Sequence, residues 1–122
     1  MPPPNTNIEV LPSAARIATL NSADLDCQGR GVHVIIDVTV DPALASVVPK
    51  IQGFDPLSGT WYDLLVGVAI TAVGTTVLKV YPGIAVAANV AASDVVPPVW
   101  RVRMEHADAD SITYSVGAAL VA

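Results

Sequence analysis

Three stretches of this chain alternate apolar and polar residues with a period of two. In residues 32–40 every even position is valine or isoleucine, and residues 100–105 alternate a large apolar residue with an arginine or glutamate. Residues 111–118 repeat the pattern, with Ile112 and Tyr114 among the apolar positions. A period of two gives a β-strand one buried face and one solvated face. The pattern therefore predicts three amphipathic strands whose apolar residues share one core.

Shorter apolar runs indicate four further strands, at 15–20, 47–54, 61–66 and 75–81. Pro49 assigns the second of these to a sheet edge or a bulge, because proline cannot donate a hydrogen bond to a neighbouring strand. The sequence Asp-Pro-Leu-Ser-Gly at 55–59 lies between two apolar runs and predicts a β-hairpin. The alanine-rich residues 84–96 fit an irregular loop, a short strand or one helical turn equally well.

Strands of this length and spacing, with no helical period longer than about 10 residues, predict an all-β fold. A single β-sandwich of jelly-roll type is the leading architecture, and a closed barrel is the alternative. Residues 1–13 are rich in proline and asparagine without any period, so we expect an extended N-terminal arm there. Residues 14–122 then form the β-sandwich domain, since a chain of 122 residues is long enough for one such core.

The composition is too apolar for an ordinary soluble domain. Hydrophobic residues make up 52% of the chain and charged residues only 14%, against roughly 25% in typical soluble domains. The longest nearly uncharged stretch, 64–78, spans about 15 residues, which is shorter than the roughly 20 that a membrane-spanning helix needs. We therefore expect no membrane partner and assign the excess apolar surface to protein contacts at 64–73, 84–96 and around Trp61.

The sequence contains no catalytic constellation. The single cysteine, Cys27, excludes an internal disulfide, and the neighbouring Asp24 and Asp26 disfavour its reactive thiolate. His33 and Asp37 share one strand face and have the chemistry of an acid–base pair, but no nucleophile or metal motif accompanies them. We expect neither catalysis nor a bound cofactor.

The net charge restricts the class of binding partner, and the start of the sequence indicates where the protein is synthesised. A net charge of −5 with six scattered lysines and arginines argues against nucleic acid, whose phosphates need a basic patch. The N-terminus has neither the basic start nor the apolar run of a secretory signal, so we expect synthesis in the cytoplasm.

The acidic segment after the second amphipathic strand is the candidate metal site. Asp108 and Asp110 supply oxygen ligands at alternate positions, next to Glu105 and His106, as in a loop that binds calcium. Aspartate is also favoured in turns, because its side chain bonds the local backbone. The segment lacks the glycine and the later bidentate carboxylate of a calcium loop, so a hairpin turn is the favoured interpretation.

Six residues are candidates for partner contacts: Pro2, Pro3, Pro4, Trp61, Arg101 and Arg103. The prolines belong to the arm, which is free to lie on a neighbour. Trp61 is out of phase with the core positions of its strand, so we expect it to be exposed or covered only by a partner. Tyr62 and Trp100 are in phase with the core. Arg101 and Arg103 form an outward stripe that is either a solvated face or a contact between subunits.

Four segments, residues 13–22, 31–39, 51–59 and 110–118, look like the small β proteins encoded among the virion structural genes of tailed bacteriophages. The resemblance extends over residues 13–120 and rests on strand and turn motifs rather than on chemistry. Such proteins are similar to capsid decoration (cement) proteins, which sit on the outside of the head, often as trimers, and clamp neighbouring capsomers.

The resemblance implies a protein that binds the major capsid protein on the outer surface of the virion and stabilises the head without catalysis. It further implies a homo-oligomer, with a trimer favoured. Other proteins of the same gene clusters serve in the tail or in the head–tail joint. A receptor- or glycan-binding module of a tail or fibre, and a tail or connector component, are therefore the alternatives. No catalytic or interface residues carry over by motif.

Overall fold

The computed structural model describes residues 6–27, 29–41 and 45–121 of the chain. Within these ranges it contains ten strands and no helix, and so no helix long and apolar enough to cross a membrane. The strands are β1 (Thr6–Arg16), β2 (Leu20–Asn21), β3 (Leu25–Asp26), β4 (Gly31–Val40), β5 (Val47–Asp55), β6 (Thr60–Val66), β7 (Gly74–Val80), β8 (Ala91–Ala92), β9 (Val99–His106) and β10 (Ile112–Val121).

The strands form two sheets. Sheet A has the order β1-β10-β4-β7-β8, and sheet B has the order β2-β9-β5-β6, with β3 also paired to β9. All neighbours are antiparallel except β7 and β8. The predicted all-β class is therefore confirmed, and the two sheets are consistent with a β-sandwich.

The core lies between the sheets and contains the apolar residues of the three alternating stretches. Eleven of these residues are at most 3% exposed: Val32, Val34, Ile36, Val38, Trp100, Val102, Met104, Ile112, Tyr114, Val116 and Ala118. Sheet B adds Val47, Ile51 and Leu65 to the same cluster. The predicted burial of Trp100 is confirmed. Val40 is the exception at the end of its strand, where it is 49% exposed.

The first strand differs from the predicted N-terminal arm. Residues 6–13 belong to β1, which pairs with β10 from Thr6 opposite Leu120 to Arg16 opposite Ile112. Its apolar side chains pack against the core, and two register shifts interrupt its alternation, which is why the sequence shows no period there. Residues 1–5, with the candidate residues Pro2, Pro3 and Pro4, lie outside the described residues.

The predicted strand over 15–20 is also divided. β1 ends at Arg16, and the chain then crosses to sheet B, where Leu20 pairs with Met104. A single strand cannot continue here, because its two halves belong to different sheets.

The hairpin predicted at 55–59 is confirmed and joins β5 to β6. The carbonyl oxygen of Asp55 accepts a hydrogen bond from the amide of Gly59 at 2.8 Å. The Asp55 carboxylate accepts hydrogen bonds from the amide of Leu57 and the hydroxyl of Ser58. These bonds hold the pKa of Asp55 below its ordinary value, chiefly through the Ser58 hydroxyl. Gly59 has a φ of 71°, a conformation that glycine adopts without steric cost.

A bulge in β6 changes which of its residues are buried. Ile51 lies opposite Leu65 while Gln52 lies opposite Asp63, so Leu64 is an extra residue between them. Simple alternation places Leu65 on the same face as Trp61. The bulge instead turns Leu65 into the core, where it is buried.

The segment 84–96, for which the sequence left three structures open, is a turn followed by the two-residue strand β8. Ala91 and Ala92 pair in parallel with Lys79 and Val80 of β7. Asn89 adopts a left-handed φ of 61° in the turn before β8. Its side-chain amide donates to the carbonyl of Val66 at 2.9 Å, which ties the segment to the end of β6.

Candidate interaction surfaces

The outer face of sheet B carries three of the six predicted partner residues. Alternation along β9, β5 and β6 directs one polar or aromatic set away from the core. We call this set the arginine–tryptophan face: Lys50, Gln52, Phe54, Trp61, Asp63, Arg101, Arg103 and Glu105. The structure thus brings Trp61, Arg101 and Arg103 onto one surface.

Trp61 is covered in part by its own chain. The Arg101 guanidinium lies over its ring, 4.1 Å from the ring centroid, and the Phe54 ring lies 4.8 Å away on the paired strand. The indole is half-buried as a result. This differs from the expectation that only a partner would cover it, because the cross-strand neighbours of a residue are not visible in local periodicity.

Gln52 connects Arg101 to Asp63 across three strands. Arg101 Nε donates to Gln52 Oε1 at 2.8 Å, and Gln52 Nε2 donates to Asp63 Oδ1 at 2.8 Å. Gln52 is buried despite its polarity, and these two bonds satisfy its amide. Burial, and then the nearby Arg103, lower the pKa of Arg101 below its ordinary value.

The remaining charges of this face are also paired within the chain. Glu105 lies 3.0 Å from Lys50 and 3.7 Å from Arg103, and the contact with Lys50 is the main cause of its lowered pKa. Arg103 also donates to Asn21 at 3.1 Å. A partner would therefore meet few charges in need of a counter-charge, and the face is suited to solvent as well as to contact.

The burial predicted for Tyr62 is wrong. Its side chain is 43% exposed, although it projects toward the inner side of sheet B and lies against Gly53. β6 is the last strand of that sheet, so one side of the ring has no further strand to cover it.

The acidic segment 105–110 is a turn. Asp108 and Asp110 are exposed, and Asp108 Oδ1 accepts a hydrogen bond from the amide of Asp110 at 3.1 Å. His106 turns away from them toward the interior. In the ranges that the structure describes, no three His, Cys, Asp or Glu side chains are gathered closely enough to hold a metal ion.

The imidazole of His106 links the two sheets. Its Nε2 lies 2.9 Å from the hydroxyl of Tyr114, and the Arg16 guanidinium lies 4.6 Å from the Tyr114 ring centroid. Burial raises the pKa of Tyr114 to about 12 and lowers the pKa of His106. His106 Nδ1 is buried without a hydrogen-bond partner among the described atoms. The cluster therefore serves the packing of β1, β9 and β10.

The other reactive groups have local partners. Asp37 accepts a hydrogen bond from the hydroxyl of Thr75 at 3.3 Å, on the outer side of sheet A. Cys27 is buried with its sulfur 3.7 Å from the carbonyl of Gly29, and burial raises its pKa. A raised pKa disfavours the nucleophilic thiolate at neutral pH.

The second surface is an open groove at the margin of the sandwich, beside β7. Two loops carry exposed valines that line it: Val68 is 63%, Val73 61% and Val90 45% exposed. The groove has a volume of about 370 Å³ and is lined by residues 68–78, Asn89 and Val90. We call it the valine groove.

Backbone pairing brings the two loops of the valine groove together. Ile70 exchanges two hydrogen bonds with Val47, which extends sheet B past the end of β6. The amide of Lys79 donates to the carbonyl of Val90 at 2.9 Å, which holds the second loop beside β7. The sequence indicates each loop as a contact region. The sequence does not predict that the two loops are adjacent, because this depends on pairings between residues far apart in the chain. The only local indication is that both loops lack charged residues.

The chain was compared with protein-family models and with curated proteins, and neither comparison finds a match.

Proposed function

We propose that this chain is a capsid decoration protein of a tailed bacteriophage, a non-catalytic subunit that binds the outer face of the assembled head as an oligomer. The observation that carries the proposal is the valine groove. Three of the valines that line it, Val68, Val73 and Val90, are between 45% and 63% exposed, and no residue of its lining carries a charge. An exposed, contiguous apolar surface of this kind is typical of interaction sites.

The strand order supports the jelly-roll assignment that belongs to this proposal. Four strands of sheet A follow the order β1-β10-β4-β7, and the order β2-β9-β5-β6 faces them in sheet B. Jelly rolls are frequent in viral capsid and lectin domains. The architecture alone does not assign a function, so it adds to the surface argument without replacing it.

The state of the reactive side chains favours a structural role over catalysis. Cys27 is buried with a raised pKa, and His106 is engaged with Tyr114 in the packing between the sheets. Asp108 bonds the backbone of its own turn. A glycan-binding role has less support, because Arg101 lies over the ring that a sugar would use for stacking.

Preferential binding to the assembled shell is the proposed mechanism. A ligand that binds only the assembled lattice shifts the equilibrium toward that lattice by mass action. The gain is about 2.7 kcal/mol per site when the free ligand is at a hundred times its dissociation constant. Many sites on one head multiply the effect.

Thermal disruption of purified heads tests this function. We expect heads stripped of this protein to release their DNA at a lower temperature than complete heads, and added protein to restore the original temperature. An unrelated acidic protein at the same concentration is the control. Equal disruption temperatures with and without this chain would contradict the proposal.

Copies per virion separate this role from its alternatives. A stained gel of purified virions is expected to show a number comparable to the main shell protein. A single ring of copies would indicate a connector or tail component instead, and only a few copies would indicate a fibre tip.

A further inference from the structure

One edge of sheet A lacks a neighbouring strand inside the valine groove. β7 pairs with β4 from Val80 opposite Val32 to Gly74 opposite Val38, without a register shift. On its other side it pairs with β8 only at Lys79 and Val80. The first five residues of β7 therefore form a free strand edge along the groove.

The direction of the backbone groups follows from the bonds that β7 does make. The amide of Lys79 donates to Val90 and the amide of Tyr81 donates to Ala92, so odd-numbered residues point away from β4. Alternation then directs the N–H and C=O groups of Thr75 and Val77 into the groove. These four groups have no backbone partner among the residues that the structure describes.

The longer free edges elsewhere in the sandwich are protected against pairing. β1 carries Glu9, Pro12 and Arg16 and has two register shifts, and β6 carries Asp63 and a bulge. Charges, prolines and bulges are the devices by which proteins prevent contacts between strand edges. The free part of β7, Gly-Thr-Thr-Val-Leu, has none of them.

The chemistry of the groove favours a second copy of this chain. Residues 67–78 and 84–92 contain no ionisable side chain, whereas the whole chain carries a net charge of −5. A charged partner would find no counter-charge here. Two copies, which repel each other over most of their surfaces, meet with the least repulsion through this uncharged region.

We propose that two copies associate through the valine groove, with the free edges of β7 paired antiparallel across a two-fold axis. Thr75 of each copy then lies opposite Val77 of the other, and all four free backbone groups of each copy are satisfied. The contact is self-complementary, as an interface on a two-fold axis requires. It deepens the proposed function and rests on it, because it names the contact by which the capsid-binding oligomer forms.

Sedimentation velocity of the full chain over a range of concentrations tests the contact. We expect a dimer that dissociates on dilution. Val73→Lys places one ammonium group from each copy in a contact without counter-charges and is expected to weaken dimerisation on the order of tenfold or more, because burying an unpaired charge is costly. Leu57→Lys, at a side chain 97% exposed in the β5–β6 hairpin, is the matched control and leaves dimerisation unchanged.

Amide hydrogen exchange gives a second measurement that does not depend on a variant. The amides of Thr75 and Val77 are expected to exchange slowly in the dimer and rapidly in the dilute monomer. Fast exchange of both amides in the associated protein would overturn the pairing.

Three sedimentation results would also overturn the proposal: a monomer at all concentrations, a trimer, or a dimer that Val73→Lys does not weaken. A monomer would leave the groove to a different protein. The measurement uses isolated protein without heads, so failure of this contact is distinguishable from failure of the capsid-binding function.

Discussion

His106 illustrates how neighbours decide the role of a single residue. In the sequence it lies beside two aspartates and suggests a ligand. In the fold its imidazole forms a hydrogen bond with Tyr114 of the opposite sheet, and the Arg16 guanidinium lies over the Tyr114 ring. The nearby Arg16 cation and the burial of the ring both disfavour the imidazolium, whereas Asp108 favours it. Desolvation is the largest of these effects, so the pKa of His106 is lowered.

This lowered pKa predicts that acid destabilises the protein through His106. The ordinary pKa is 6.5, so the unfolded chain takes up a proton at a higher pH than the folded chain does. The free energy of unfolding therefore falls as the pH drops below about 6.5, until the folded-state pKa is passed. In the imidazolium both ring nitrogens carry a hydrogen, and Nδ1 has no acceptor among the described atoms.

Urea denaturation between pH 8 and pH 5 measures this effect as the difference between wild type and His106→Gln. The variant is expected to lose less stability over that interval. His33→Gln removes the other histidine, on the outer side of sheet A, and is the control. A parallel pH dependence of wild type and His106→Gln would disprove the assignment.

At the scale of elements, close backbone approach matters as much as alternation. β4 begins at Gly31, which lies beside the last residues of β7. The side of Gly31 where a Cβ would stand is occupied by the carbonyl oxygen of Val80 and the ring of Tyr81. Gly117 in β10 has open space by comparison, with the nearest atom, the carbonyl oxygen of Ile8, at an ordinary 3.7 Å.

Gly31→Ala is therefore expected to destabilise the fold by about 3 kcal/mol, because a backbone oxygen cannot move aside cheaply. Gly117→Ala, in a strand of the same sheet, is expected to stay within about 1 kcal/mol of wild type. Chemical denaturation of both variants measures the difference. Equal stabilities would show that β4 and β7 separate easily at this end.

At the scale of the whole molecule, the two sheets share one core. Ile36 of sheet A and Ile51 of sheet B are both fully buried in the same cluster. Neither sheet has a second apolar layer of its own within the described ranges. Each sheet therefore depends on the other for the burial of its apolar face.

The shared core predicts a single unfolding transition in wild type, Ile36→Ala and Ile51→Ala. Each variant is expected to lose about 2–5 kcal/mol of stability. Circular dichroism follows both sheets, and tryptophan fluorescence follows sheet B, which contains Trp61 and Trp100. The two signals should coincide in all three proteins. Leu57→Ala is the control and should change stability by less than about 0.5 kcal/mol.

Separate transitions by the two signals would contradict a shared core. In that case Ile36→Ala would lower the denaturant midpoint of the circular-dichroism transition and leave the midpoint of the fluorescence transition unchanged.

The sequence by itself determined the three amphipathic strands and most of the core. Alternation is a local property, so Val32 to Val38 and Trp100 to Met104 are assigned to the buried face without knowledge of any partner strand. The turn at 55–59 is equally local, because Asp55 bonds residues two to four positions away. The pKa of Cys27 is raised, but by burial, which the sequence does not show, rather than by the neighbouring aspartates.

Only the tertiary structure decided the surfaces. Three contacts join residues that are far apart in the chain. They are the Arg101 guanidinium over the Trp61 ring, the His106 bond to Tyr114 and the approach of the loops at 67–73 and 84–90. Pairing register and bulges set these contacts, and neither follows from the period of a single strand. The free edge of β7 has the same origin, since a strand is an edge only when no other strand lies beside it.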